Sequence, residues 1–227
     1  MVAEPRPAAH ESALLDAPLP ASVRAQLLAT EHWSLLATRS MTWSEVMGRI
    51  SIHLTVASAA LVVLALVVQT SGFGTTFDVL SIGLGASVLV LGTLTGMRVH
   101  NASVDDAALV IGMNRIRAAY LLMDPTLANH LVTSAHDDLA GLMQTYTMGM
   151  PRHMATHVVG STNFFMSVVN ALVAGTLGAL IANAAGADTA VVSVVGVAAG
   201  VAYLVALLEV ARRSFSQPPN VRFPSDG

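Results

Sequence analysis

The chain has 227 residues, of which 54% are hydrophobic and only 11% charged, with a mean hydropathy of +0.64. A water-soluble domain carries about 25% charged residues, so this composition excludes a solvent-facing globule and points to a membrane bundle. A formal net charge of −3 gives no basic surface for nucleic acid, the lack of cysteine excludes disulfides and thiolate metal sites, and the lack of lysine excludes a Schiff base.

Taken in chain order, residues 1–20 are rich in proline and alanine and read as a disordered N-terminal tail. Residues 21–45 read as an amphipathic cytoplasmic or interfacial helix. Leu27, Leu28, Trp33, Leu35 and Leu36 recur at helical spacing, and Trp43 is placed to anchor at headgroup level. Thr42-Trp-Ser-Glu45 has the pattern of a capping box, which predicts a fresh helix start just before the membrane. Residues 46–98 hold the first two spans, roughly 50–68 and 79–97. Each has about 19 residues, enough at ~1.5 Å per residue to cover a hydrocarbon core of ~30 Å.

Residues 99–152 are patterned as a cytoplasmic helical hairpin. Its first arm starts at Ser103-Val-Asp-Asp106 and carries Leu109, Met113, Ile116, Tyr120 and Met123 on one face. Asp124-Pro125 closes that arm and caps the second, where Leu127, Leu131, Ala135, Leu142, Tyr146 and Met150 share a side. Residues 153–213 hold spans three and four, roughly 158–182 and 190–208, and residues 214–227 read as a disordered C-terminal tail. The expected fold class is therefore all-α: a polytopic membrane protein of four transmembrane helices, with the hairpin between spans two and three.

Arginine placement sets the expected topology. Arg49, Arg98, Arg152, Arg212 and Arg213 flank spans on one side, whereas the short connections 69–78 and 183–189 carry no arginine. By the positive-inside bias both termini and the middle segment face the cytoplasm, in a bacterial inner membrane. The stretch EHWSLLATRSMTWSE (31–45), followed directly by a span, resembles a group of bacterial four-span integral membrane proteins with no assigned activity. That resemblance covers roughly residues 25–150 and implies the membrane class without a mechanism. The order of two spans, a helical insert and two more spans is also similar in outline to bestrophin-type channels, although the filter motif of that family is absent here.

Three sets of residues carry candidate chemistry. Asn163, Ser167 and Asn170 lie on one face of the third span with His157, either as an interhelical hydrogen-bond ladder or as a polar path for an ion or small solute. His53, His100, His153 and His157 cluster near the arginine-bearing side. They read as packed interfacial histidines, a pH-sensitive gate, or ligands to haem or copper, with Met148, Met150 and Met154 adding thioethers. Gly92 and Gly96 in the second span, and Gly196 and Gly200 in the fourth, form GxxxG faces suited to close helix packing, with a pore lining as the alternative. His136-Asp137-Asp138 reads as a solvated face before it reads as a divalent-cation site.

There is no GxSxG, HExxH, P-loop or GxGxxG in a strand–helix context, so no enzyme is expected. The leading expectation is a homo-oligomeric channel or passive transport protein for an ion or small solute, requiring no cofactor. A haem- or copper-binding membrane protein and a non-catalytic subunit or scaffold of a larger membrane complex are the alternatives.

Overall fold

The computed structural model describes residues 19–150, 159–214 and 220–225. All regular elements among them are helical: α1 (Ala21–Ser71), α2 (Thr75–Met123), a 3-10 helix (Pro125–His130), α3 (Leu139–Thr147), α4 (Thr162–Ala184) and α5 (Thr189–Ser214). α1, α2, α4 and α5 are each long and apolar enough to cross a membrane. The protein is an all-helical membrane protein with four such helices.

Two helices are far longer than a bilayer requires. α1 has 51 residues and α2 has 49, roughly 75 Å each against a hydrocarbon core of ~30 Å. Their ends beyond the spans pack on each other as an antiparallel stalk. This corrects two boundaries expected from the sequence. No helix begins at Thr42: α1 runs unbroken through it, and Glu45 is engaged by Arg98 Nη2 of α2 at 2.7 Å and by Arg49 Nε of its own helix at 2.8 Å. Trp43 is likewise no headgroup anchor; its indole donates to Asp106 Oδ1 at 2.7 Å. Nor does a helix start at Ser103, whose hydroxyl donates to the Val99 carbonyl one turn back within unbroken α2. With no proline from Ala21 to Ser71, or from Thr75 to Met123, nothing in either sequence breaks the ladder.

The buried positions of α2 within the stalk run Val99, Ala102, Asp106, Val110, Met113, a three–four spacing that keeps one stripe against α1. At the base of the stalk, Val46 and Ile50 of α1, Val99 and Ala102 of α2 and Met166 of α4 form a core with Trp43 packed against it.

Asp124 ends α2 and its side chain accepts from Thr126 N at 2.9 Å, with Pro125 opening the next element. The expected second arm, however, is not one helix. A six-residue 3-10 helix and an irregular stretch, 131–138, precede the nine-residue α3. The reason is Asp138, whose carboxylate caps α3 by accepting from Gly141 N and so fixes a late helix start. Residues 220–225, expected within a structureless tail, are instead hydrogen-bonded to Asp137 and Asp138. The N-terminal tail up to residue 18 lies outside the described residues.

Within the membrane the main contacts follow the order α1–α2–α4–α5. Gly72, at φ 67°, allows the tight reversal between α1 and α2. Gly186, at φ 80°, does the same between α4 and α5, where Asp188 caps α5 by accepting from Val191 N.

Candidate functional site

Of the residues singled out by sequence, the structure brings four together on three helices: His53 of α1, Gly92 and Gly96 of α2, and Asn170 of α4. Asn170 Nδ2 donates to the Gly92 carbonyl at 2.7 Å. A Cβ placed on Gly92 would overlap Asn170 Oδ1 outright and stand 2.7 Å from His53 Cε1, so both side chains close over the bare glycine backbone. At Gly96 a Cβ would meet Asn170 Nδ2 at 3.4 Å, an ordinary contact. Gly92 is thus the seat of the node and Gly96 its neighbour.

The node is buried and short of protein partners. His53 is 2% exposed and Asn170 is fully buried, yet among the described residues neither ring nitrogen of His53 nor Oδ1 of Asn170 has a hydrogen-bond partner. Each such atom costs about 1–3 kcal/mol when buried unsatisfied, and more where the surroundings are hydrocarbon. Asn170 Oδ1 offers a lone-pair site; a neutral imidazole offers one donor and one acceptor. Chemically, the arrangement can exchange hydrogen bonds with water or offer two acceptor atoms to a small cation. Beside it, Thr93 Oγ1 and Tyr203 OH are 2.7 Å apart and tie α2 to α5.

The rest of the polar stripe on α4 behaves differently. Ser167 donates to the Asn163 carbonyl of its own helix at 2.8 Å, and both residues are half-buried. Gly196 and Gly200 sit in the α4–α5 contact. A Cβ on Gly200 would come within 2.9 Å of the Ala171 carbonyl, and one on Gly196 within 3.1 Å of Ala179 Cβ. Gly175 of α4 is equally tight, 2.9 Å from the Gly196 carbonyl. Backbone therefore meets backbone along this pair, the close approach that small residues allow in lipid.

The two described histidines of the expected cluster, His53 and His100, do not meet. His100 lies eight residues beyond Gly92, roughly 12 Å further along α2, beside a shallow surface depression lined by Arg98, Asn101, Val104 and Asp105. His153 and His157, with Met154, lie outside the described residues. Among the described residues no group of three or more His, Asp or Glu side chains could hold a metal ion.

Sequence reasoning missed a second polar centre, in the stalk. Asp106, read only as an acid in a helix start, is 3% exposed. It accepts from Arg39 Nε at 2.6 Å, Trp43 Nε1 at 2.7 Å and Tyr146 OH at 2.8 Å, joining α1, α2 and α3. Burial opposes its ionisation, but those three donors prevail and hold the carboxyl below its ordinary value. Burial and the neighbouring Asp106 carboxylate push the Tyr146 phenol up. Asn114, fully buried, uses its whole hydrogen-bonding capacity. It donates to the His136 and Gly141 carbonyls and accepts from Arg117 Nη1 at 2.7 Å and Thr145 Oγ1 at 2.9 Å. The signal that could have found Asp106 is its place in the Val99–Ala102–Val110–Met113 stripe. A carboxylate at a seam position requires a buried cationic or N–H partner.

No protein-family model matches the chain, and no significant match to a curated protein or to a solved structure was found.

Proposed function

We propose that this protein is a homo-oligomeric channel or passive transport protein for an ion or small solute, with the permeant passing the His53–Asn170 node. One observation carries the reading: three polar atoms on two buried side chains, inside the apolar part of the bundle, are left without protein partners. Polar and ionisable groups at such depth are expensive and mark ion or solute pathways. A purely structural node would satisfy itself, as Asn114 does in the stalk. The donor set favours water or a small cation carried with water over an anion, because Asn170 Oδ1 and the imidazole lone pair are both acceptors.

The homo-oligomer is part of the proposal: the main helix contacts run α1–α2, α2–α4 and α4–α5, and a second copy would complete a path along the half-buried Asn163 and Ser167 of α4. The arginine distribution supports cytoplasmic termini in a bacterial inner membrane, with the stalk on the cytoplasmic side. The absence of catalytic motifs supports a non-enzymatic role.

Ion flux into proteoliposomes tests the proposal across about pH 5 to 8, the range in which imidazoles change charge. Flux is expected for the unaltered protein and its loss for Asn170→Leu and for His53→Leu. No flux at any pH, or flux unchanged by Asn163→Leu combined with Asn170→Leu, overturns it.

A further inference from the structure

We infer that the irregular stretch 131–138, with Arg115 of α2, is a recognition site for a short peptide held by its main chain, and that its occupant is the chain's own segment 220–225. The resulting latch ties α5 to the stalk, whatever crosses the membrane.

The contacts are those of main-chain readout. Asp137 N donates to the Phe223 carbonyl at 3.0 Å, and its carboxylate accepts from Arg222 N at 2.9 Å and Phe223 N at 2.7 Å. Asp138 accepts from Ser225 N at 2.6 Å and from the Ser225 hydroxyl. Arg115 completes the site from α2: its Nε donates to Asp137 Oδ2 at 2.7 Å and its Nη2 to the Asn220 carbonyl. Asp137 is fully buried. Without segment 220–225, Asp137 loses its two amide donors and the cover that buries it, and of these partners only Arg115 remains.

The segment suits the site. The consecutive amides of Arg222 and Phe223 both turn onto the Asp137 carboxylate, so the segment is held in a bend at these two residues, and Pro224 keeps Phe223 out of a helical conformation. The Arg222 side chain is exposed and takes no part in the pairing, so backbone and Ser225 carry recognition.

The absence of cysteine makes the test direct. Spin labels on Val132→Cys and Arg222→Cys, both exposed positions, report the distance between loop and segment in the full chain in nanodiscs. A narrow, short distribution is expected, unchanged when labelled protein is diluted with excess unlabelled chain. Ser225→Glu sets a carboxylate against Asp138 without removing any stalk residue, and is expected to broaden the distribution. A second arm uses a fluorescent peptide of residues 220–227 added to a chain truncated after Pro219. Binding is expected, weakened roughly tenfold or more by Asp138→Ala, since charge-assisted hydrogen bonds are removed. A broad distribution in the unaltered chain, or no peptide binding, overturns the proposal. Loss of the short distance on dilution also overturns it, by placing the segment on a neighbouring copy.

Discussion

Asn114 in the stalk and Asn170 in the membrane layer are both fully buried, and they are treated in opposite ways. Asn114 donates twice and accepts twice. Asn170 donates once to the Gly92 carbonyl and leaves its oxygen bare beside a histidine with two bare nitrogens. A satisfied buried amide specifies one packing arrangement, because any shift orphans four groups at once. A half-satisfied amide specifies little and retains capacity to bind. Asn114 thus uses polarity to fix its surroundings, whereas the membrane node holds polarity in reserve.

The sharpest way to test the first half of that contrast is Asp106→Ala. Arg39, Trp43 and Tyr146 would lose their common acceptor in a site where the carboxylate is nearly inaccessible. Removing one partner of a buried pair costs ~3–5 kcal/mol, reduced here because Arg39 is 34% exposed, so about 2–4 kcal/mol is expected. Limited proteolysis of the stalk against temperature would register it. The same carboxyl gives a pH signature. Its folded value lies below the ordinary 3.8, so its stabilisation is complete above about pH 4 and is lost as pH falls through the folded value. A stalk equally stable at neutral pH and at about pH 3 would deny Asp106 this role.

Next in size is the asparagine pair itself. Asn114→Leu strands the Arg117 guanidinium and the His136 carbonyl, while the Thr145 hydroxyl and the Gly141 carbonyl keep each other, and should cost about 2–3 kcal/mol. Asn170→Leu removes one hydrogen bond but also removes an unsatisfied oxygen from the membrane interior. The two changes nearly cancel, and less than about 1 kcal/mol is expected. Unfolding in mixed micelles gives both numbers. Equal costs would mean that the node is as structural as the stalk, and the distinction between the two regions would fall.

How far these regions could be read from sequence follows the same division. The four membrane helices were legible because hydrophobic runs of about 19 residues have one stable form in lipid. The stalk was legible only as amphipathic pieces. Thr42-Trp-Ser-Glu45 and Ser103-Val-Asp-Asp106 carry helix-start chemistry, but a cap forms only where the preceding chain turns away, and here Glu45, Trp43 and Asp106 are taken by other helices. Asn170 was visible as a polar residue in an apolar run, whereas its meeting with His53 was not. Residues so far apart in the chain share a depth only through the crossing of three helices. Asp137 looked solvated because nothing local shows that a segment 85 residues downstream would cover it.

Gly92→Ala probes the node without altering any of its polar atoms. The new methyl would overlap Asn170 Oδ1 and His53 Cε1, and neither clash is with backbone, so both side chains can swing away. Overpacking of this sort costs about 1–3 kcal/mol, and the lower end is expected because the swing breaks one hydrogen bond, from Asn170 to the Gly92 carbonyl. The informative readout is local: the imidazole nitrogen chemical shifts of His53 should move, with stalk resonances unchanged. Movement in the stalk as well would show that the two regions are one cooperative unit.

The smallest effect is expected at Thr93 and Tyr203, which sit beside the node yet follow the rule of the stalk. Their oxygens are 2.7 Å apart, and Thr93 Oγ1 also donates to the Leu89 carbonyl of its own helix at 2.7 Å. The Thr93 hydroxyl has only one hydrogen, so the phenol donates to it while Thr93 bonds its own backbone. Tyr203→Phe removes that donor and leaves the Thr93 oxygen still engaged, so about 0.5 kcal/mol is expected, the usual scale of an interhelical hydrogen bond in a membrane. A double-mutant cycle with Thr93→Val isolates the pair. A coupling well above about 1 kcal/mol would show that this bond braces α5 against α2, and that part of the rigidity assigned to the stalk resides beside the His53–Asn170 node instead.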